Sequence, residues 1–165
     1  MKEMTQANLS AAFAGESQAH MKYLAFAEQA EREGLTNVAR LFRAASYSEQ
    51  MHATAHLRTL GGIGDTVKNL QAAFGGETFE VDEMYPAYMA VAEAQQEKAA
   101  KVSMDRALQA EKVHAKLYAA AKECVSEKQD FNFGTIYVCE VCGFTIEGAA
   151  PEKCPVCNSS KFRKF

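Results

Sequence analysis

The chain has 165 residues, 48% of them hydrophobic and 24% charged, with three prolines and no tryptophan, a balance that suits a helix-rich protein with one substantial core and room for a small appendage. Its net charge of −3 and its lack of basic blocks argue against nucleic acid or an anionic membrane as main partners. Met1-Lys2-Glu3-Met4-Thr5 has no apolar export core and no apolar run is long enough to cross a bilayer, so the expectation is a cytoplasmic protein.

In chain order, a first helix is predicted from Thr5 to Glu33, stopped by Gly34. A second runs from Thr36, read as its N-cap, to Leu60, and Gly61-Gly62 end it. Residues 61–76 read as a crossover, glycine-rich at both ends, with helical character between Thr66 and Phe74. A third helix spans Glu77 to Ala100, and Pro86 inside it predicts a kink, or an earlier start with a break. A fourth covers Val102 to Glu127. From Lys128 to Thr135 the composition shifts to Asp, Asn, Phe and Gly, a linker. The last thirty residues hold cysteines and two prolines without helical period, so the expected division is 1–130 and 131–165.

Glu-x-x-His occurs twice in these helices, as Glu49-Gln50-Met51-His52 and Glu111-Lys112-Val113-His114, 62 residues apart. Residues three apart on a helix share a face, so each pair offers one carboxylate and one imidazole to a common point. The same 62-residue offset superposes Tyr23 on Tyr85, Ala30 on Ala92 and Ala53 on Ala115, the mark of a duplicated helical hairpin. Glu16 lies 33 residues ahead of Glu49, and Glu77 and Glu80 lie 34 and 31 ahead of Glu111. That separation suits one helix up, a short turn and the next helix down. Each hairpin then supplies a bare glutamate and a Glu-x-x-His, the ligand pattern of the carboxylate-bridged binuclear site in ferritin-like bundles. A single Glu-x-x-His would be read as a solvated pair. Five glutamates set among apolar neighbours call for cations to neutralise them. His20 and His56, each four residues beyond a proposed ligand, read as polar packing or surface groups.

At the C-terminus, Cys139-Glu-Val-Cys142 and Cys154-Pro-Val-Cys157 form C-x2-C twice, with eleven residues between the pairs. Two tight turns of this kind place four thiolates around one metal, and so short a segment needs such a staple to fold. Two disulfides would fit an exported protein, whereas the expectation here is a cytoplasmic one. Four thiolates take zinc, which would make a structural ribbon, or iron, which would make a one-electron carrier. Cys124, near the end of the fourth helix, reads as a packing residue.

The whole chain resembles the rubrerythrins in Gly15-Glu16-Ser17, both Glu-x-x-His pairs, Gly76-Glu77-Thr-Phe-Glu80-Val-Asp-Glu-Met84-Tyr85-Pro86, Tyr137-x-Cys139-x-x-Cys142-Gly143 and Cys154-Pro155-x-Cys157. The resemblance implies an all-α ferritin-like four-helix bundle with a small C-terminal rubredoxin-like metal-binding domain. By that resemblance Glu49 and Glu111 are bridging carboxylates, and Glu16, Glu77, Glu80, His52 and His114 are terminal ligands. His52 and Glu80 are alternatives between which one iron moves as its redox state changes. Tyr23 and Tyr85 match tyrosines that hydrogen-bond to ligand carboxylates. The implied cofactors are two iron ions in the carboxylate site and one iron, or zinc, in the four-cysteine site.

The implied activity is reduction of hydrogen peroxide to water in oxidative-stress defence, with electrons from a rubredoxin-type or NAD(P)H-dependent reductase. The implied assembly is a homodimer in which one subunit's four-cysteine domain approaches the other's diiron site. Two departures are visible: Asn158 stands where a glycine is common after the last cysteine, and the gap between cysteine pairs is the compact one. Asparagine tolerates the left-handed turn such a position requires. The competing readings are a ferroxidase, which would need no built-in electron donor, and a zinc-loaded, redox-inert metal-binding protein.

Overall fold

The computed structural model describes all residues, Met1–Phe165. Helices α1 (Glu3–Arg32), α2 (Thr36–Thr59), α3 (Thr66–Phe79), α4 (Tyr85–Ala94) and α5 (Lys98–Ser126) precede strands β1 (Ile136–Cys139), β2 (Thr145–Glu147) and β3 (Phe162–Lys164). A π-helical turn, Glu80–Met84, joins α3 to α4 without a break, so the helices amount to four rods. The chain divides into two compact units, Met1–Gly64 and Asp65–Phe165.

The first unit is the α1–α2 hairpin. α1 closes where Gly34 adopts φ 76°, so that the Gly34 N–H bonds to the Glu31 carbonyl at 2.9 Å and the Leu35 N–H to the Ala30 carbonyl at 2.8 Å. This tight closure leaves Leu35, not Thr36, in the N-cap position of α2, and no side chain caps it. The two helices pack through the buried Ala27, Ala30, Ala39, Ala53 and Ser46, small side chains that let the helix axes come close. The Ser46 hydroxyl donates to the His20 carbonyl at 2.9 Å, and His20 Nδ1 sits 2.9 Å from the same hydroxyl. Of the two roles expected of His20, polar packing or surface, the contacts with Ser46 give it the first.

The second unit opens with Asp65, whose carboxylate accepts the Lys68 N–H at 2.9 Å and starts α3. The third rod therefore begins at Thr66 rather than Glu77, and it runs helically through Gly75 and Gly76. Each interior glycine costs about 1 kcal/mol of helix propensity. Docking on α5 offsets that: the Lys122 ammonium donates to Gln71 Oε1 at 2.7 Å and lies 5.3 Å from the centre of the Phe74 ring. The effect foreseen for Pro86 takes the form of the π turn. Pro86 has no N–H to give the Asp82 carbonyl and its ring crowds that group, so the turn before it widens and the Tyr85 N–H bonds to the Glu80 carbonyl five residues back.

The rod then stops at Ala94 instead of Ala100, and α5 begins at Lys98 instead of Val102. Gln96 takes φ 60°, with its N–H on the Glu93 carbonyl at 3.0 Å and the Glu97 N–H on the Ala92 carbonyl at 2.8 Å. It is the closure used at Gly34, made without a glycine. Ala30 and Ala92, partners under the 62-residue offset, are both buried. The last segment is an antiparallel sheet in the order β2-β1-β3, with Val138 of β1 opposite Thr145 and Arg163. Its buried residues are Cys139, Cys154 and Thr145, too few to form a core without a metal. No helix is long and apolar enough to cross a membrane.

Candidate metal centres

In the first unit, Glu16 from α1 joins Glu49 and His52 from α2, with one ligand atom from each lying within 4.8 Å of the others. In the second, Glu77 from α3 joins Glu111 and His114 from α5 within the same limit. The i,i+3 spacing does on each helix what it was expected to do: His52 Nδ1 lies 3.0 Å from Glu49 Oε2, and His114 Nδ1 lies 2.7 Å from Glu111 Oε2. Glu77 Oε1 is 3.9 Å from His114 Nδ1. The second triad is the more sheltered, its histidine side chain 30% exposed against 55% for His52.

The carboxylates of the second triad crowd one another. Burial, a hydrogen bond shared with Glu111, and the charges of Glu111 and Glu80 push the Glu77 carboxyl up to about 7. Glu80 is raised by burial and then by the Glu111 charge, with His114 opposing. Tyr85 is raised by burial and by the charges of Glu80, Glu111 and Glu77, so its hydroxyl stays protonated at neutral pH beside those carboxylates. In the first triad Glu49 is lowered, chiefly by its hydrogen bond with His52 and then by one with Glu16.

Carboxylate oxygens and an imidazole nitrogen gathered this closely suit iron, manganese or zinc, and a cation among them would relieve the repulsion that raises Glu77 and Glu80. Tyr23 packs with Phe26 and Phe42 at ring-centre distances of 6.3 and 6.2 Å. Glu83 is exposed, and Glu93, also exposed, pairs with Lys101.

Cys139, Cys142, Cys154 and Cys157 are all free thiols brought into one cluster. Two matching turns do this: the Gly143 N–H bonds to the Cys139 carbonyl at 2.9 Å, and the Asn158 N–H to the Cys154 carbonyl at 2.8 Å. Gly143 has φ 78° and Asn158 φ 63°, so asparagine fills the left-handed position of the second turn. The sulfurs of Cys139 and Cys157 lie 3.5 Å apart and those of Cys142 and Cys154 3.6 Å apart. A tetrahedron with metal–sulfur bonds of about 2.3 Å has edges of roughly 3.8 Å, so the cluster fits one ion after a small expansion.

Burial opposes ionisation of Cys139, but the backbone N–H groups of Val141 and Cys142 and the Cys157 thiol overcome it and bring the Cys139 thiol down to about 7. Burial pushes Cys142 up to about 12. Cys124 stands apart from the cluster, half-buried on α5.

One contact had no signal in the sequence. His114 Nε2, the ring nitrogen turned away from Glu111, lies 2.7 Å from Thr145 Oγ1 on β2 of the cysteine domain. The cysteine domain thus reaches a proposed ligand of its own chain. The two residues are 31 positions apart, beyond any local pattern.

A family model described as Rubrerythrin matches residues 7–122, and one described as the rubrerythrin rubredoxin-like domain matches residues 137–163. Rubrerythrin-2 of Clostridium acetobutylicum is 40% identical over 178 residues, spanning 98% of this chain and 97% of that protein. Rubrerythrin of Nitratidesulfovibrio vulgaris is 34% identical, spanning 95% of this chain and 91% of that protein. Among solved structures, nigerythrin in its fully reduced, all-ferrous state superposes with a TM-score of 0.56 at 32% identity, covering 98% of this chain and 86% of that one.

Proposed function

The chain belongs to the rubrerythrin family, and from that premise we propose that it is a non-haem diiron peroxidase that reduces hydrogen peroxide to water. The fold class is the ferritin-like four-helix bundle with a C-terminal rubredoxin-like domain, and the family carries a diiron carboxylate site and a four-cysteine site in the class of oxidative-stress proteins. The observation that carries the peroxidase reading is the presence, in one chain, of two carboxylate–carboxylate–imidazole triads and a four-thiol cluster. When bound, a ferrous pair supplies two electrons at once, enough to take hydrogen peroxide and two protons to two waters, and a single iron among four thiolates supplies electrons one at a time.

The chain's own residues provide the frame for that chemistry. Each triad would supply ligands to the metal pair, Glu49 and Glu111 as the bridging carboxylates and Glu16, Glu77, His52 and His114 as terminal ligands. Glu80, which feels the charges of Glu111 and His114, would be the carboxylate that alternates with His52 as a ligand. Tyr85 keeps a hydroxyl donor beside the carboxylates because burial and their charge hold its proton. Residues 1–130 form the diiron domain and residues 131–165 the electron-carrying one. A rubredoxin-type or NAD(P)H-dependent reductase feeds the latter, and the protein works as a cytoplasmic homodimer. Met21, Leu41, Tyr47 and Met51 on α1 and α2 are large apolar side chains left exposed, which supports an assembly that covers apolar surface on these helices.

A ferroxidase would not need the four-thiol cluster, which weighs against that reading. Rapid mixing of the reduced protein with peroxide and, separately, with oxygen tests the proposal. Faster oxidation by peroxide is expected, and equal rates would end it.

A further inference from the structure

We infer that Thr145 is a positioning residue for His114: its hydroxyl holds the imidazole with Nδ1 turned into the Glu77–Glu111 pair and links the filling of that site to the first cysteine turn. This rests on the reading of His114 as a metal ligand. Thr145 is 5% exposed, and its Oγ1 lies 2.7 Å from His114 Nε2 and 3.3 Å from the Gly143 carbonyl, to which it can donate. On the other side of the ring, Nδ1 is 2.7 Å from Glu111 Oε2 and 3.9 Å from Glu77 Oε1. The last torsion of a histidine is broad and roughly two-fold, so without a partner on Nε2 little would fix which atoms face the carboxylates. Leu117, Tyr118, Ile136 and Val138 line a groove of about 380 Å³ beside the bond, and apolar surroundings strengthen it.

The proton accounting explains why a hydroxyl suits this place. A neutral imidazole carries one ring proton. With Glu111 against Nδ1, that proton sits on Nδ1, so Nε2 accepts and Thr145 donates. A metal ion at Nδ1 needs the lone pair there, which moves the ring proton to Nε2. Nε2–H then donates to Thr145 Oγ1, and the hydroxyl proton turns to the Gly143 carbonyl. A group that both donates and accepts serves the two states, whereas a valine serves neither. Gly143 directly follows Cys142, so the reversal reaches the cysteine turn. If the contact merely satisfied a buried hydroxyl, the Gly143 carbonyl would suffice and the metal site would not depend on it.

The test uses the full chain with its cysteine site filled with zinc, as wild type, Thr145→Val, Thr145→Ser and Glu111→Gln. Further zinc is titrated into the carboxylate site by calorimetry while NMR follows the histidine ring N–H and the Phe144 amide, which is bonded to the Gly143 carbonyl. Removing a partner of a metal-bound histidine typically costs roughly 10–100-fold in affinity. Thr145→Val is expected to lose that much, to lose the slowly exchanging ring N–H, and to leave the Phe144 amide unmoved by zinc. Thr145→Ser is expected to restore all three.

Valine binding zinc as tightly as wild type, or serine failing as valine does, would overturn the assignment. Cobalt(II) absorption of the cysteine site reports whether either variant disturbs that domain, and the serine variant decides the matter if valine does. If wild type takes no zinc beyond the cysteine site, or Glu111→Gln binds as well as wild type, the ligand reading itself fails. Loss in Glu111→Gln with Thr145→Val unaffected sinks only the role of Thr145.

Discussion

Carboxylate oxygens of Glu77 and Glu111 lie within 4.8 Å of each other, and burial, followed by this neighbour, pushes Glu77 up to about 7 from an ordinary 4.5. Below the lower value both the folded and the unfolded chain hold the proton. Between the two, the folded protein keeps a proton that the unfolded chain releases, so the stability of the metal-free protein falls as pH rises through this window. Urea denaturation of the metal-free protein at pH 5 and at pH 7.5 should show that fall, and Glu77→Gln, which mimics the protonated form, should flatten it. An unchanged slope in the variant would mean that Glu77 is not the group concerned.

Metal uptake by the cysteine cluster should depend on pH with the opposite sign. Every thiol must give up its proton, and Cys139, brought down to about 7, is poised to do so at neutral pH. Zinc titrations between pH 6 and 8 should show affinity rising with pH and protons released on binding. Cys139→Ser should abolish four-sulfur binding and unfold the strands while leaving helical circular dichroism largely intact. Zinc binding contributes roughly 10–16 kcal/mol in small four-ligand domains, far more than this sheet can bury.

Ser46 is fully buried between α1 and α2, and its hydroxyl donates to the His20 carbonyl. Ser46→Ala deletes that bond and leaves His20 Nδ1 without the hydroxyl 2.9 Å away. The Ser46 carbonyl, also 2.9 Å from His20 Nδ1, remains as its partner, so a loss of about 0.5–1.5 kcal/mol is expected by chemical denaturation, the usual net worth of one hydrogen bond. A change under a few tenths of a kcal/mol would show that the hairpin does not rely on this contact.

Asn158 holds a left-handed conformation at φ 63° in the second cysteine turn. Residues with a Cβ pay about 1–2 kcal/mol there, asparagine less than most. Asn158→Gly should keep or slightly raise the thermal stability of the zinc-loaded domain, and Asn158→Val should lower it. Equal effects of the two substitutions would show that backbone strain is not what the position selects against.

The chemistry-bearing parts of this protein were legible because they are local. Three residues of helix suffice to set His52 against Glu49 and His114 against Glu111, and two residues between cysteines suffice for each thiol turn. The halt after Glu33 was legible for the same reason, since a glycine marks it. The equivalent halt at Gln96 was not, because an ordinary side chain occupies the left-handed position and nothing in its identity announces it.

Non-local packing made the remaining decisions. A helix crosses Gly75-Gly76 because Lys122 on α5 secures Gln71 and Phe74, and the turn before Pro86 widens to spare one carbonyl a clash. The bond from Thr145 to His114 joins residues that only the docking of a sheet on a helix could bring together. Spacing along the chain therefore determined which side chains could act as ligands, because helix and turn geometry repeats over a few residues. Their burial, their raised carboxyl groups and the histidine's second partner came from contacts between distant segments, which only the folded chain supplies.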